Sequence, residues 1–154
     1  MIGAIIGDIV GSRFEFHNTD KINFKLFAKD SNFTDDTICT IAIADAINSR
    51  ITRKYGDTCY AAYLLRWCRK YPNPMGGYGG SFARWIHSEK PQPYNSFGNG
   101  SAMRVSPVAW AFDNLETVLS EAAKTAEVSH NHPEGIKGAQ AVAHAIFSQR
   151  KGFD

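Results

Sequence analysis

Apolar residues recur at helical spacing along most of this chain. Ile2, Ile5, Ile6, Ile9 and Val10 follow the i, i+3, i+4, i+7, i+8 pattern of one helical face. Gly3, Gly7 and Gly11 form a second stripe at every fourth position. A glycine in a helix costs roughly 1 kcal/mol relative to alanine, so three in register predict close approach by another helix or by a ligand. Residues 17–33 read as irregular, with an alternating patch (Ile22, Phe24, Leu26) that predicts a small strand or a tucked loop. A second helix over about 35–50 is apolar nearly all round, which places it centrally. A third, from about Asp57 to Tyr71, carries Tyr60, Leu64, Trp67, Cys68 and Tyr71 on one face and is ended by Pro72 and Pro74.

The glycine-rich stretch 76–80 predicts a flexible loop before a short helix containing Phe82, Trp85 and Ile86. After a Pro/Asn loop over 91–97, Ser106-Pro107 reads as a cap followed by proline at the first helical position. Asn114 should cap the next helix, with Leu115, Val118, Leu119, Ala122 and Ala126 facing the core. The last helix opens at Pro133 and shows Ile136, Ala139, Ala143, Ile146 and Phe147 at helical spacing, with Gly152 as its C-terminal cap. No repeat interrupts this series. The pattern predicts an all-α fold in a single domain over 1–154, with function carried by loops at helix starts.

Composition changes this picture little. A hydrophobic fraction of 44% and a charged fraction of 21% are those of a soluble globular domain. A formal net charge of +2, without a basic run or aromatic-rich basic stripe, argues against a nucleic-acid partner. Cys39, Cys59 and Cys68 are odd in number and form no Cys-x-x-Cys pair, so reduced thiols in a cytoplasmic protein are expected. The apolar N-terminus lacks a basic region and is interrupted by Asp8, unlike a signal peptide. No run approaches the ~18 apolar residues of a membrane span.

The chemistry concentrates where the second helix begins, at Phe33-Thr34-Asp35-Asp36-Thr37. One capping residue satisfies a helix start; two adjacent carboxylates after a threonine exceed that need and repel each other. The set suits a hard cation with oxygen ligands, such as Mg²⁺, and equally suits a capped helix with acids complementing its dipole. Three further segments contain small and polar residues that packing does not require: Gly7-Asp8 through Glu15, Gly98 through Arg104, and Ser129-His130-Asn131-His132-Pro133. Gly98 and Gly100 permit close backbone approach, and Asn99, Ser101 and Arg104 offer donors. Such a loop serves as a binding site or as a tight interhelical turn. His130 and His132 could share a metal; alternatively His132 or Asn131 caps the final helix while His130 bonds an anionic ligand.

Taken in order, Met1-Ile2-Gly3-Ala4-Ile5-Ile6-Gly7-Asp8-Ile9-Val10-Gly11-Ser12, Glu15, Phe33-Thr34-Asp35-Asp36-Thr37, Gly77-Tyr78-Gly79, Gly98-Asn99-Gly100-Ser101-Ala102-Met103-Arg104 and Ser129-His130-Asn131-His132-Pro133-Glu134-Gly135 resemble the ADP-ribosylglycohydrolase family. The resemblance runs from Met1 to about Arg150. It implies an all-α bundle with a binuclear Mg²⁺ or Mn²⁺ site, and hydrolysis of the bond between the anomeric ribose carbon of ADP-ribose and an acceptor. It further implies that Thr34, Asp35 and Asp36 are metal ligands, with Glu15 and Asp36 catalytic. Gly77, Tyr78, Gly79, Gly98, Asn99, Gly100, Ser101, Met103, Arg104, Ser129 and His130 are then substrate-binding, with Ser129 and His130 near the diphosphate, which Arg104 and the helix starts could neutralise. Asp8 is expected to tie down the first loops.

The chain departs from that family in one respect. The second acidic cluster, of the Asp-x-Asp-Thr type, is missing: the later aspartates are Asp113 and Asp154, and neither sits in that pattern. The expected partners are ADP-ribose or an ADP-ribosylated protein, together with a second copy or a complementary chain covering exposed apolar surface. The alternatives are a catalytically inactive ADP-ribose-binding module and, further off, a metallohydrolase built on His130 and His132.

Overall fold

In a computed structural model, which describes residues 1–53 and 59–152, the helices are α1 (Ile2–Gly11), α2 (Asp35–Arg53), α3 (Tyr60–Lys70), α4 (Gly80–His87), α5 (Gly100–Met103), α6 (Ser106–Ala111), α7 (Leu115–Glu127) and α8 (Pro133–Lys151). The fold is all-α; the strand-like pairing among the described residues is a single isolated bridge, Thr34 to Met75. Ile22 is 91% exposed in a loop, so the alternating patch at 22–26 forms neither a strand nor a tucked segment. The helix expected from Asp57 begins at Tyr60 among the described residues; Asp57 and Asp154 lie outside them.

Helix α2 occupies the centre, in contact with α1, α3, α5 and α6. Ile38, Cys39, Ala42, Ile43, Ala46 and Ile47 are all buried. Against it pack α3, through Tyr60, Leu64 and Cys68, and α6, through Val108 and Ala109. Helices α7 and α8 form the most extensive pair, joined through the small residues Ala122, Ala126, Ala139 and Ala143. Small side chains let two helix backbones approach closely. A buried Glu121 links three helices: its carboxylate accepts from Tyr60 Oη at 2.6 Å, Arg50 Nη1 at 3.0 Å and Lys124 Nζ at 2.9 Å.

Helix ends follow the expected chemistry. Asn114 Oδ1 accepts from Thr117 N, and Gly152 ends α8 at φ 75°, where a side chain would be strained. The start of α6 shifts by one residue: Val105 holds the capping position, and Ser106 is already helical, with no capping bond from its side chain. Cys39 Sγ and Cys68 Sγ lie 3.9 Å apart in the core as free thiols, whereas Cys59 is exposed.

Helix α1 behaves differently. None of its residues is buried, and Ile2 is 70% exposed. A Cβ on Gly3, Gly7 or Gly11 would meet nothing within 4 Å, so no other described helix packs closely along the glycine stripe. Beside α1 lies an apolar groove of about 620 Å³, lined by Met1, Ile2, Ile47, Ile51, Pro107 and Trp110. No described helix is long and apolar enough to cross a membrane.

Candidate functional site

The four segments picked out by the sequence each contribute a residue to one cavity. Asp8, on α1, holds the start of α2. Its carboxylate accepts from Thr34 N at 2.9 Å, Thr34 Oγ1 at 2.6 Å and Thr37 N at 3.2 Å, and also from Thr37 Oγ1. An external carboxylate thus caps α2 and satisfies N–H groups that have no partner within the helix. The expected tying role of Asp8 is met by these bonds.

With the capping done by Asp8, Asp35 and Asp36 are free to face a cavity of about 390 Å³. Glu15, which follows a 3₁₀ turn at Ser12–Phe14, lines the same cavity. Behind it, a Cβ on Gly76 would stand 2.5 Å from Glu15 Oε2, and Gly76 adopts φ 79°; glycine there leaves the carboxylate its place. Burial and the neighbouring Asp36 push the Asp35 carboxyl up to about 7. Burial and Asp8 raise Asp36; burial, Asp36 and Asp8 raise Glu15. Each carboxylate is therefore destabilised as an anion, the expected state of acids crowded without a counter-charge.

The rest of the lining comes from Gly79, Gly80, Ser81 and Phe82 at the start of α4, from Tyr94 and Ser96, from Gly98, Asn99, Gly100, Met103 and Arg104 around α5, and from His130. Two glycines make this lining possible. A Cβ on Gly100 would lie 2.8 Å from His130 Nε2, and one on Gly135 would lie 2.7 Å from the Ser96 carbonyl oxygen and 2.9 Å from that of His130. The loops themselves are laced together: Tyr94 N donates to Ser129 O, and Asn95 N to Asn131 Oδ1.

Several residues expected to bind substrate stand elsewhere. Gly77 and Tyr78 are not part of the cavity wall; Tyr78 Oη donates to Tyr71 O at 2.7 Å and braces the end of α3. Ser101 is buried and donates to Gly135 O at 2.7 Å, so it joins α5 to α8. Ser129 is buried behind His130. Arg104 lines the cavity but has no exposed surface: its Nη2 donates to Thr125 O at 2.7 Å and to Ser129 Oγ at 2.9 Å, so those bonds tie the guanidinium into the core. Thr34 is buried behind Asp36; its Oγ1 donates to Asp8 and accepts from Asp36 N, leaving one lone pair uncommitted.

The histidine pair does not act as one unit. His132 Nδ1 accepts from Glu134 N and caps α8, while His130 Nδ1 pairs with Ser129 Oγ at 2.8 Å. No group of three His, Cys, Asp or Glu side chains among the described residues is arranged to hold a metal ion. Phe82, Tyr94, Ser81 and Ser96 line the cavity without having been singled out by the sequence. Phe82 reads as core at helical spacing, and Tyr94 sits in an irregular loop whose fold depends on contacts from residues 129–131.

Comparison with known proteins gives a match to the ADP-ribosylglycohydrolase family over residues 1–150. The ADP-ribosylarginine hydrolase Tri1 of Pseudomonas putida is 28% identical over 100% of this chain and 46% of its own length. The ADP-ribosylhydrolase ARH3 of Mus musculus is 26% identical over 99% of the chain and 48% of its own. The ADP-ribosyl-[dinitrogen reductase] glycohydrolase of Rhodospirillum rubrum is 27% identical over 86% and 50%. The chain spans about half the length of these relatives.

Proposed function

The chain belongs to the ADP-ribosylglycohydrolase family, and on that premise we propose that it takes part in metal-assisted hydrolysis of the glycosidic bond between ADP-ribose and an acceptor. The observation that carries this reading is the placement of Glu15, Asp35 and Asp36 in one cavity with His130 and the Gly98–Gly100 loop. Names of the relatives supply the substrate class: each acts on an ADP-ribosyl group.

The donor set is chemically right for Mg²⁺ or Mn²⁺: carboxylates raised in pKa by burial and by neighbouring acids, with the remaining lone pair of Thr34 behind them. It is also short. Without a three-ligand cluster among the described residues, a cation held by Asp35, Asp36 and Thr34 would complete its shell with water. When bound, such an ion fixes ribose hydroxyls and lowers the pKa of water. Glu15 and Asp36 orient the attacking water, and Glu15 accepts its proton. As the acceptor leaves, positive character grows on the anomeric carbon, and the carboxylate wall stabilises it.

Release of ADP-ribose from an ADP-ribosylated arginine peptide tests this reading. Turnover with Mn²⁺ or Mg²⁺, abolished by chelator and by Asp36→Ala, supports it. Failure to release ADP-ribose at any metal concentration, with the protein folded and the apolar groove covered by a partner, rejects it. A second reading, a cation-independent ADP-ribose-binding module, is favoured by the short ligand set. Calorimetry separates the two, because that module binds ADP-ribose equally with and without chelator.

The exposed face of α1 and the groove beside it also call for an occupant. We assign it to a polypeptide carrying the additional length that the relatives possess, because surface this apolar ordinarily marks an interface.

A further inference from the structure

We propose that Ser129, itself held by Arg104, is a positioning residue that locks His130 as the neutral tautomer carrying its proton on Nε2, so that the cavity always meets a donor there. The ligand role rests on the reading above; the tautomer does not.

The argument begins with the donor inventory. Arginine carries N–H donors and no acceptor. Arg104 Nη2 donates to Ser129 Oγ at 2.9 Å, which occupies one lone pair of that oxygen. The same oxygen lies 2.8 Å from His130 Nδ1. Ser129 has no exposed surface, and Nδ1 is the acceptor within reach of its hydroxyl hydrogen among the described residues. If Nδ1 carried the proton, both partners of Ser129 Oγ would be donors. The hydroxyl hydrogen would then be stranded in the interior, at a cost of roughly 1–3 kcal/mol. The Nδ1 atom is therefore the acceptor, and the ring proton sits on Nε2.

Geometry then fixes where that proton points. Nε2 makes no hydrogen bond among the described residues, and it faces the α5 loop so closely that a Cβ on Gly100 would lie 2.8 Å away and one on Gly98 3.9 Å away. The ring rests against Tyr94 with centroids 5.8 Å apart. Arg104 is pinned in turn by Thr125 O at 2.7 Å and by the Phe82 ring, with its guanidinium carbon 5.7 Å from the centroid. Burial and the Arg104 charge hold the imidazole down at about 4, so the ring stays neutral and a single N–H is available. A neutral N–H donor suits a phosphate or hydroxyl oxygen of a nucleotide sugar.

The tautomer can be read directly by ¹⁵N-correlated NMR of the histidine rings at neutral pH. The expected spectrum assigns the protonated nitrogen of His130 to Nε2 and the unprotonated one to Nδ1. Ser129→Ala should give a mixture of tautomers and weaken ADP-ribose roughly three- to tenfold by calorimetry, the worth of one ordinary hydrogen bond. Ser129→Thr, which keeps the hydroxyl, should restore both. A proton on Nδ1 in the unsubstituted protein, or an unchanged single tautomer in folded Ser129→Ala, overturns the proposal. If the NMR result is as expected but ADP-ribose fails to bind, the lock stands and the substrate reading falls.

Discussion

Thr34 Oγ1 donates a 2.6 Å hydrogen bond to Asp8 Oδ1, joining the middle of α1 to the start of α2 across 26 residues of chain. The acids at positions 35 and 36 owe their freedom to this bond. A helix that recruits its cap from another helix need not turn its own first-turn carboxylates back on itself. Replacing Asp8 should therefore disturb the site without touching it. We expect Asp8→Asn to destabilise the fold by about 2 kcal/mol, the scale of a lost cap plus a charge-assisted bond. Cation affinity should fall with it. Urea unfolding with and without Mn²⁺ checks both.

Asp35 gives the protein a pH-dependent weakness. Its folded pKa of about 7 lies above the ordinary carboxylate value of 3.8, so between these values the folded state binds the proton that the unfolded state has released. Without a cation, the Asp35 contribution to stability is thus fully present below pH ~4 and is lost as pH rises towards 7. Asp35→Asn removes the penalty. It should stabilise the cation-free protein at pH 8 by on the order of 1–2 kcal/mol after solvent screening, with the difference vanishing below pH ~4. Equal pH profiles for the two proteins would contradict the crowding of charge described for the cavity.

A divalent cation should relieve that same crowding. At pH 7.5, Mn²⁺ or Mg²⁺ at ~100 times its Kd is expected to stabilise the fold by about 2.7 kcal/mol, and Ca²⁺, which prefers more ligands, by less. Asp36→Ala should abolish the shift. Scanning calorimetry across a metal titration is the measurement.

Gly100 tests another part of the lining. An added Cβ would stand 2.8 Å from His130 Nε2, and the ring must move or the α5 loop must retreat. Gly100→Ala should preserve the thermal transition within a few degrees but reduce ADP-ribose affinity at least tenfold, measured by calorimetry. Unaltered affinity would mean that the ligand does not meet this part of it.

Apolar surface outside the cavity makes a separate prediction. Trp110 is 53% and Ile51 59% exposed beside the α1 groove. Sedimentation at micromolar concentration should show association, relieved by Ile51→Glu with Trp110→Glu. A polypeptide carrying the extra length of the relatives should bind the unsubstituted chain and not the double variant. Self-association that such a polypeptide cannot displace would instead make a second copy the occupant.

The sequence alone determined the helical course of the chain, because periodic burial and caps are local properties. The face of α3 at Tyr60, Leu64 and Cys68, the Asn114 cap and the Gly152 stop all follow from residues a few positions apart. It also marked the segments that meet at the cavity, since paired acids, clustered glycines and a polar loop before Pro133 stand outside the apolar helical pattern. Only the tertiary structure decided which of those residues face the cavity. Ser101, Tyr78 and Ser129 turn their hydroxyls to backbone or core partners, and Arg104 is drawn inward by the Thr125 carbonyl, whereas Phe82 and Tyr94 reach the wall. A polar side chain at a helix end meets a ligand or a neighbouring helix according to what packs beside it. For Ser101 and Arg104 that neighbour lies 34 and 21 residues away in the chain, out of reach of any local pattern.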